Sequence, residues 1–170
     1  MSNIRIYMPE DMLAKFRKAA MSRFGYGKGS LSLAAEAAIS RWLEQEYYVE
    51  AWLERITANA KNDKNVLAVF IFGSYVKNKS VYGDVDIAIL LKKDDVDSPS
   101  FLSEYADPKG VFDISIMNRL PTNIQSRVIS DGTLFYCEDK AKVYDYCISL
   151  MEKWEDFKPR FNRILAKRAQ

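Results

Sequence analysis

The stretch FIFGSYVKNKSVYGDVDIAILLK, from Phe70 to Lys92, constrains the fold more than any other part of the chain. The apolar run that begins at Val66 stops at Gly73-Ser74. Nine residues further on, Asp84 and Asp86 stand one residue apart at the front of a second apolar run. Short apolar runs bounded by turn signals read as strands buried in a sheet. Residues i and i+2 of a strand share a face. Asp84 and Asp86 therefore face one way, and Val85, Ile87 and Ile89 face the core. Two carboxylates so close repel unless a cation lies between them, and a hard divalent ion such as Mg2+ prefers oxygen ligands.

A third carboxylate, Asp113, interrupts the later apolar run GVFDISIM and can join the same face from a neighbouring strand. Three carboxylates can hold two metal ions about 3.5–4 Å apart, the arrangement that aligns attacking and leaving oxygens in phosphoryl transfer. Gly73 after a buried strand lets backbone N–H groups approach a phosphate, and the Ser74 hydroxyl adds a donor. A helix beginning there would favour an anion at its start. Lys77 and Lys79 follow and are placed to neutralise phosphate charge.

The chain has no histidine, which removes His-based triads and His-containing zinc sites. Chemistry must rest on carboxylates, hydroxyls, Lys/Arg or a bound metal. No run of apolar residues is long enough for a transmembrane helix, and the first residues lack the layout of a signal peptide. Cys137 and Cys147 form no CxxC pattern and read as buried thiols in a reducing cytosol, so the expected location is cytoplasmic.

Val66–Cys137 alternates strands with helices. Strands are expected at 66–72, over GDVDIAILLK (83–92), at 110–117 and at 133–137. Helices are expected at 98–106, capped by Ser98 with Pro99 at the first position, from Pro121 to Gly132, and from Asp139 onward with a break or kink at Pro159. The segment YYVEAWLERITANA is helical and either starts a helix or continues the one before it.

The conjunction of Gly73, Ser74, Asp84, Asp86 and Asp113 resembles the minimal nucleotidyltransferases of the DNA polymerase beta-like superfamily. The resemblance covers roughly residues 47–165, through FDISIMNRLPTNIQSRVISDGTLFYCEDK. It implies Mg2+ or Mn2+, ATP or another nucleoside triphosphate, and transfer of a nucleotidyl group, AMP in the reading adopted here, to an acceptor oxygen. Many small members are antitoxins paired with a helical HEPN-type toxin, and some adenylylate a tyrosine of that toxin. The resemblance makes Asp84, Asp86 and Asp113 both metal ligands and catalytic residues, and Gly73, Ser74 and Lys77 the nucleotide-binding set. The family's frequent Ala-Arg-Gly after Gly-Ser is replaced here by YVKNKS, with Lys77 in the arginine's place.

The first residues read differently. In NIRIYMPED, Ile4, Ile6 and Met8 fall on one strand face and Asn3, Arg5 and Tyr7 on the other. Pro9 then opens a helix, GYGKGS breaks it, and Ser30 or Ser32 caps a second one. Residues 1–30 hold six Lys/Arg against Glu10 and Asp11, a basic segment in a chain whose net charge is only +2. This head resembles a ribbon-helix-helix domain, in which paired strands of two chains enter the DNA major groove. The resemblance assigns base contacts to Asn3, Arg5 and Tyr7, and phosphate contacts to Lys28 and to backbone N–H groups near Ser30. The same pairing can serve dimerisation alone. A lone strand cannot satisfy its own backbone groups, so either version calls for a dimer.

The expected fold is α+β, with a ribbon-helix-helix module at 1–46 and a small nucleotidyltransferase fold, a mixed sheet flanked by helices, at 47–170. The expected function is an antitoxin-type nucleotidyltransferase that also binds operator DNA. Its expected partners are a second copy, a HEPN-type toxin and DNA, with no membrane. Two alternatives stay open: a DNA-binding regulator whose nucleotidyltransferase-like part only senses a nucleotide or docks a partner, and a transferase acting on a small molecule.

Overall fold

The computed structural model describes residues 5–77 and 83–168, with side chains through Arg163. The chain divides into two compact units, Met1–Ala51 and Trp52–Gln170. Asn3, Ile4 and Lys79 lie outside the described residues.

In the first unit, helix α1 runs Glu10–Phe24, directly after Pro9, with Glu10 and Asp11 in its first turn. Those carboxylates complement the partial positive charge of exposed N–H groups there. The helix stops at Gly25, whose φ of 81° suits a residue without a Cβ. Helix α2 runs Ser30–Asn62 without a break, so YYVEAWLERITANA continues the helix before it. Ser30 does not cap α2 as expected. Its hydroxyl donates to the carbonyls of Gly27 (2.9 Å) and Phe24 (3.3 Å), and its N–H goes to Gly27 as well. Among the described residues, Arg5–Pro9 form no strand.

The second unit is built on a four-stranded sheet in the order β3-β2-β1-β4. Its strands are β1 (Val66–Phe72), β2 (Val85–Leu91), β3 (Phe112–Ile116) and β4 (Thr133–Cys137). β1 pairs antiparallel with β2 and with β4, and β2 pairs parallel with β3, so the sheet is mixed. The helices are α3 (Ser74–Lys77), α4 (Ser98–Tyr105), α5 (Thr122–Asp131) and α6 (Lys140–Arg168), with a 3-10 turn at Met117–Arg119. This is a mixed α+β fold, a four-stranded mixed sheet flanked by helices, as expected.

Both faces of the sheet are covered at its central strands, β1 and β2. The sequence reading sent only Val85, Ile87 and Ile89 to the core, but Ala88 and Leu90 on the opposite face are equally buried. On that opposite face Ala68, Phe70, Ala88 and Leu90 pack with Val128 of α5 and with Val143 and Leu150 of α6. On the other, Trp52 of the last turns of α2 meets Phe112 of β3, their rings 6.3 Å apart. Central strands covered on both sides need side chains that are apolar in both directions, hence the unbroken runs VLAVFIF and, after Asp86, IAILL.

Three smaller expectations are corrected. Helix α4 is capped by Asp97, not Ser98; the Asp97 carboxylate accepts from the Ser100 N–H at 3.2 Å. Pro159 neither ends nor splits α6 as assigned; one missing donor on an exposed helix is tolerated there. Cys137 and Cys147 are free thiols, but only half-buried. Among the described residues no helix is long and apolar enough to cross a membrane.

Candidate active site

The two central strands end at the site. β1 delivers Phe72 to Gly73, where the chain turns with φ of 75°. This backbone region strains any residue with a Cβ. Here a Cβ would also collide with the Asp86 Oδ2 and stand 2.8 Å from its Cγ. The turn and the carboxylate are therefore packed directly together. Ser74 begins α3 and is exposed. The helix is a single turn, too short to build up the dipole invoked from the sequence, so anion binding there would rely on local N–H groups and the hydroxyl.

β2 and β3 set the carboxylates. Asp86 is the register partner of Asp113 in the parallel pair and of Phe72 in the antiparallel pair. Paired residues in adjacent strands point the same way, so Asp113, Asp86 and Phe72 form one row across three strands. Asp84 lies just ahead of β2, two residues from Asp86. The entry to β3 is fixed by Asp107, whose carboxylate accepts the N–H groups of Val111 and Phe112, while the Val85 N–H donates to the Val111 carbonyl at 2.8 Å. That tie holds β3 in register beside the acidic end of β2.

Asp84 and Asp113 are exposed and Asp86 is half-buried. Burial pushes the Asp86 carboxyl above its ordinary range; the charges of Asp84 and Asp113 push the same way, and Arg127 opposes them. The donor set is hard oxygen under mutual repulsion, which a divalent cation relieves. Among the described residues no three carboxylates already close around a single point. The exposed side chains of Asp84 and Asp113 keep the rotamer freedom to do so. The residues fit a divalent ion by their chemistry.

Lys77, at the end of α3, is bound to the Asp131 Oδ2 of α5 at 3.0 Å. This pair and the Ser130 hydroxyl hold the Asp131 carboxyl below its ordinary range. Sequence reasoning placed Lys77 near the turn but missed Asp131 and Arg127. The residues of the head are elsewhere in the chain: Arg5, Tyr7 and Lys28 are exposed, and Ser30 is buried.

Residues 54–141, just over half of the chain, match the family described as Polymerase beta, Nucleotidyltransferase. The chain belongs to that nucleotidyltransferase family. No curated protein matches it closely enough in sequence to count as a relative. Solved structures share its fold. A chain of a toxin-antitoxin complex with AMP-PNP superimposes with a TM-score of 0.59 at 14% identity, over 69% of this chain and 98% of that one. A chain of a complex between tri-AMPylated Shewanella oneidensis HEPN toxin and MNT antitoxin gives 0.56 at 15% identity, over 71% and 98%. A chain of the toxin-antitoxin MntA-HepT gives 0.57 at 13% identity, over 71% and 99%. The matched family segment contains Gly73, Ser74, Asp84, Asp86 and Asp113.

Proposed function

We propose that this nucleotidyltransferase is of the antitoxin type and transfers AMP from ATP to an acceptor hydroxyl on a HEPN-type toxin. The observation that carries the reading is the alignment of Asp113 with Asp86 beside a Gly73 turn that touches the Asp86 carboxylate. Family membership and the toxin-antitoxin complexes that share the fold support it.

Asp84, Asp86 and Asp113 would hold Mg2+ or Mn2+, which when bound offsets charge on the triphosphate and the leaving group. Gly73 admits the polyphosphate to the backbone N–H groups of the turn, and the Ser74 hydroxyl and Lys77 bind it. The acceptor oxygen attacks the α-phosphorus, the bond to the β-phosphate bridging oxygen breaks, and pyrophosphate leaves. Asp113, the exposed member of the row, takes the acceptor's proton. Asp86, raised by burial and its neighbours, is the carboxylate that gains most from a cation.

The head in this proposal is a ribbon-helix-helix module spanning residues 1–46, with the transferase at 47–170. Asn3, Arg5 and Tyr7 of two paired copies face operator DNA, and Lys28 and the backbone near Ser30 meet phosphate. The exposure of Arg5, Tyr7 and Lys28 is compatible with that role.

The test is incubation with Mg2+ and each labelled nucleoside triphosphate, with and without a candidate HEPN-type protein. Label is expected on the toxin from ATP, and none with the combined Asp84→Asn and Asp86→Asn variant. Transfer from no nucleotide to any candidate would leave the rival reading, a nucleotide-sensing regulator. That rival draws on the open arrangement of the three carboxylates.

A further inference from the structure

The end of α5 is packed against the end of β1. A Cβ at Gly132 would lie 3.0 Å from the Ile71 carbonyl oxygen and 3.3 Å from the Phe72 Cβ, one residue before the Gly73 turn. From that end, Asp131 reaches across to Lys77 on α3. Arg127 sits four residues before Asp131, and residues at that spacing share one helix face. It is exposed, and among the described residues it enters no salt bridge. Its charge acts on both Asp86 and Asp131. Among the described residues, Lys77 beside the Gly73-Ser74 turn is thus already paired, while Arg127, one helical turn before the Lys77 partner Asp131 on α5, is in no salt bridge.

We propose that Arg127 of α5 is a polyphosphate-binding residue of the Gly73-Ser74 site, acting beside Lys77, which Asp131 holds in position. This rests on the nucleotide-binding reading of the site. A guanidinium offers parallel donors to two phosphate oxygens, where an ammonium offers only a point charge. A triphosphate tail leaving the carboxylate row past Ser74 would meet both cations and turn the local charge from divided to matched.

The experiment is calorimetric titration of the full chain with Mg·ATP, AMP and magnesium tripolyphosphate, using wild type, Arg127→Ala, Arg127→Lys and the charge control Arg160→Ala. Loss of a charge-assisted contact predicts binding of ATP and tripolyphosphate weakened about tenfold or more in Arg127→Ala. AMP binding should change less than about twofold, because AMP lacks the phosphates that Arg127 would hold. Arg127→Lys should recover part of the loss, and Arg160→Ala should match wild type. Equal loss for AMP and ATP, or unchanged tripolyphosphate binding in Arg127→Ala, overturns the assignment. Wild type that binds no polyphosphate overturns both the assignment and the nucleotide reading. Arg127-dependent binding without transfer to any acceptor sustains Arg127 and removes only the transferase reading.

Discussion

The Asp86 carboxylate occupies the space where a side chain at Gly73 would begin. One glycine therefore meets two demands, a left-handed backbone and clearance for an acidic residue from the neighbouring strand. Gly73→Ala should be destabilising by about 1–2 kcal/mol from backbone strain alone, with the collision adding to it. Urea unfolding measures the loss. Gly73→Ala combined with Asp86→Ala should recover the collision but not the strain, so the two changes should be non-additive. Additive losses would show that the two residues do not touch in solution.

Asp86 should cost the metal-free protein stability. Its folded pKa lies above 3.8, its ordinary value, so the native state holds the proton longer than the unfolded chain. The native state is then favoured at low pH, and that advantage is lost as pH rises from 3.8 through the raised folded value. With EDTA present at neutral pH, Asp86→Asn should melt at a higher temperature than wild type, while losing any Mg2+-dependent gain. A variant that melts lower under EDTA would contradict the cost of burying Asp86 beside the charges of Asp84 and Asp113.

Lys77 and Asp131 are both substantially exposed, and exposed ion pairs contribute little to folding. Lys77→Met should leave the melting temperature nearly unchanged and weaken Mg·ATP binding several-fold, about 1 kcal/mol for a screened phosphate contact. A large fall in melting temperature with unchanged nucleotide affinity would make the pair structural instead.

Tyr146 supplies an alkaline signature. Its hydroxyl donates to the Gln125 Oε1 at 2.8 Å, and burial, with the neighbouring Cys147 and Asp94, pushes its pKa up to about 12 from 10.0. Between those values the unfolded chain releases the proton and the native state keeps it, so stability falls as pH rises. Tyr146→Phe should flatten that fall while lowering stability at neutral pH through the lost bond to the buried Gln125. An unchanged alkaline slope in the variant would assign the effect to other groups.

Much of the second unit was legible because its two central strands are covered on both sides. VLAVFIF had nowhere else to go, and its limits match β1 residue for residue; TLFYC also matches β4, though that edge strand is largely exposed and was legible from its β-branched and aromatic run between Gly132 and Glu138. Asp113 was legible as a lone charge in an apolar strand, a placement that needs a reason. Its register with Asp86 was not, because strand order depends on the long connection through α4. Arg127 left no trace in the sequence: a surface arginine on an amphipathic helix looks like any solvated one until packing brings its helix to the end of β1. The cap of α4 was misplaced by one residue because Asp97 and Ser98 are both good caps, and only the backbone chooses between them.

The head gives the last prediction. Ile6 is 57% exposed and Tyr7 86% exposed, on a segment with no ladder partner among the described residues. If two copies pair there, Ile6 becomes the buried face and Arg5 with Tyr7 the outer one. Ile6→Asp should then shift the sedimentation from dimer to monomer without lowering nucleotide binding, since that site lies in the other unit. Arg5→Ala should keep the dimer, weaken the promoter upstream of the protein's own gene by about 1–3 kcal/mol and relax specificity at one base pair per half-site. Lys28→Ala should weaken all duplexes equally and flatten the salt dependence, as loss of a phosphate contact does. A dimer that survives Ile6→Asp would move assembly away from the strand. Wild type that binds the promoter no better than random duplex would restrict the head to assembly, whichever way the transfer assay turns out.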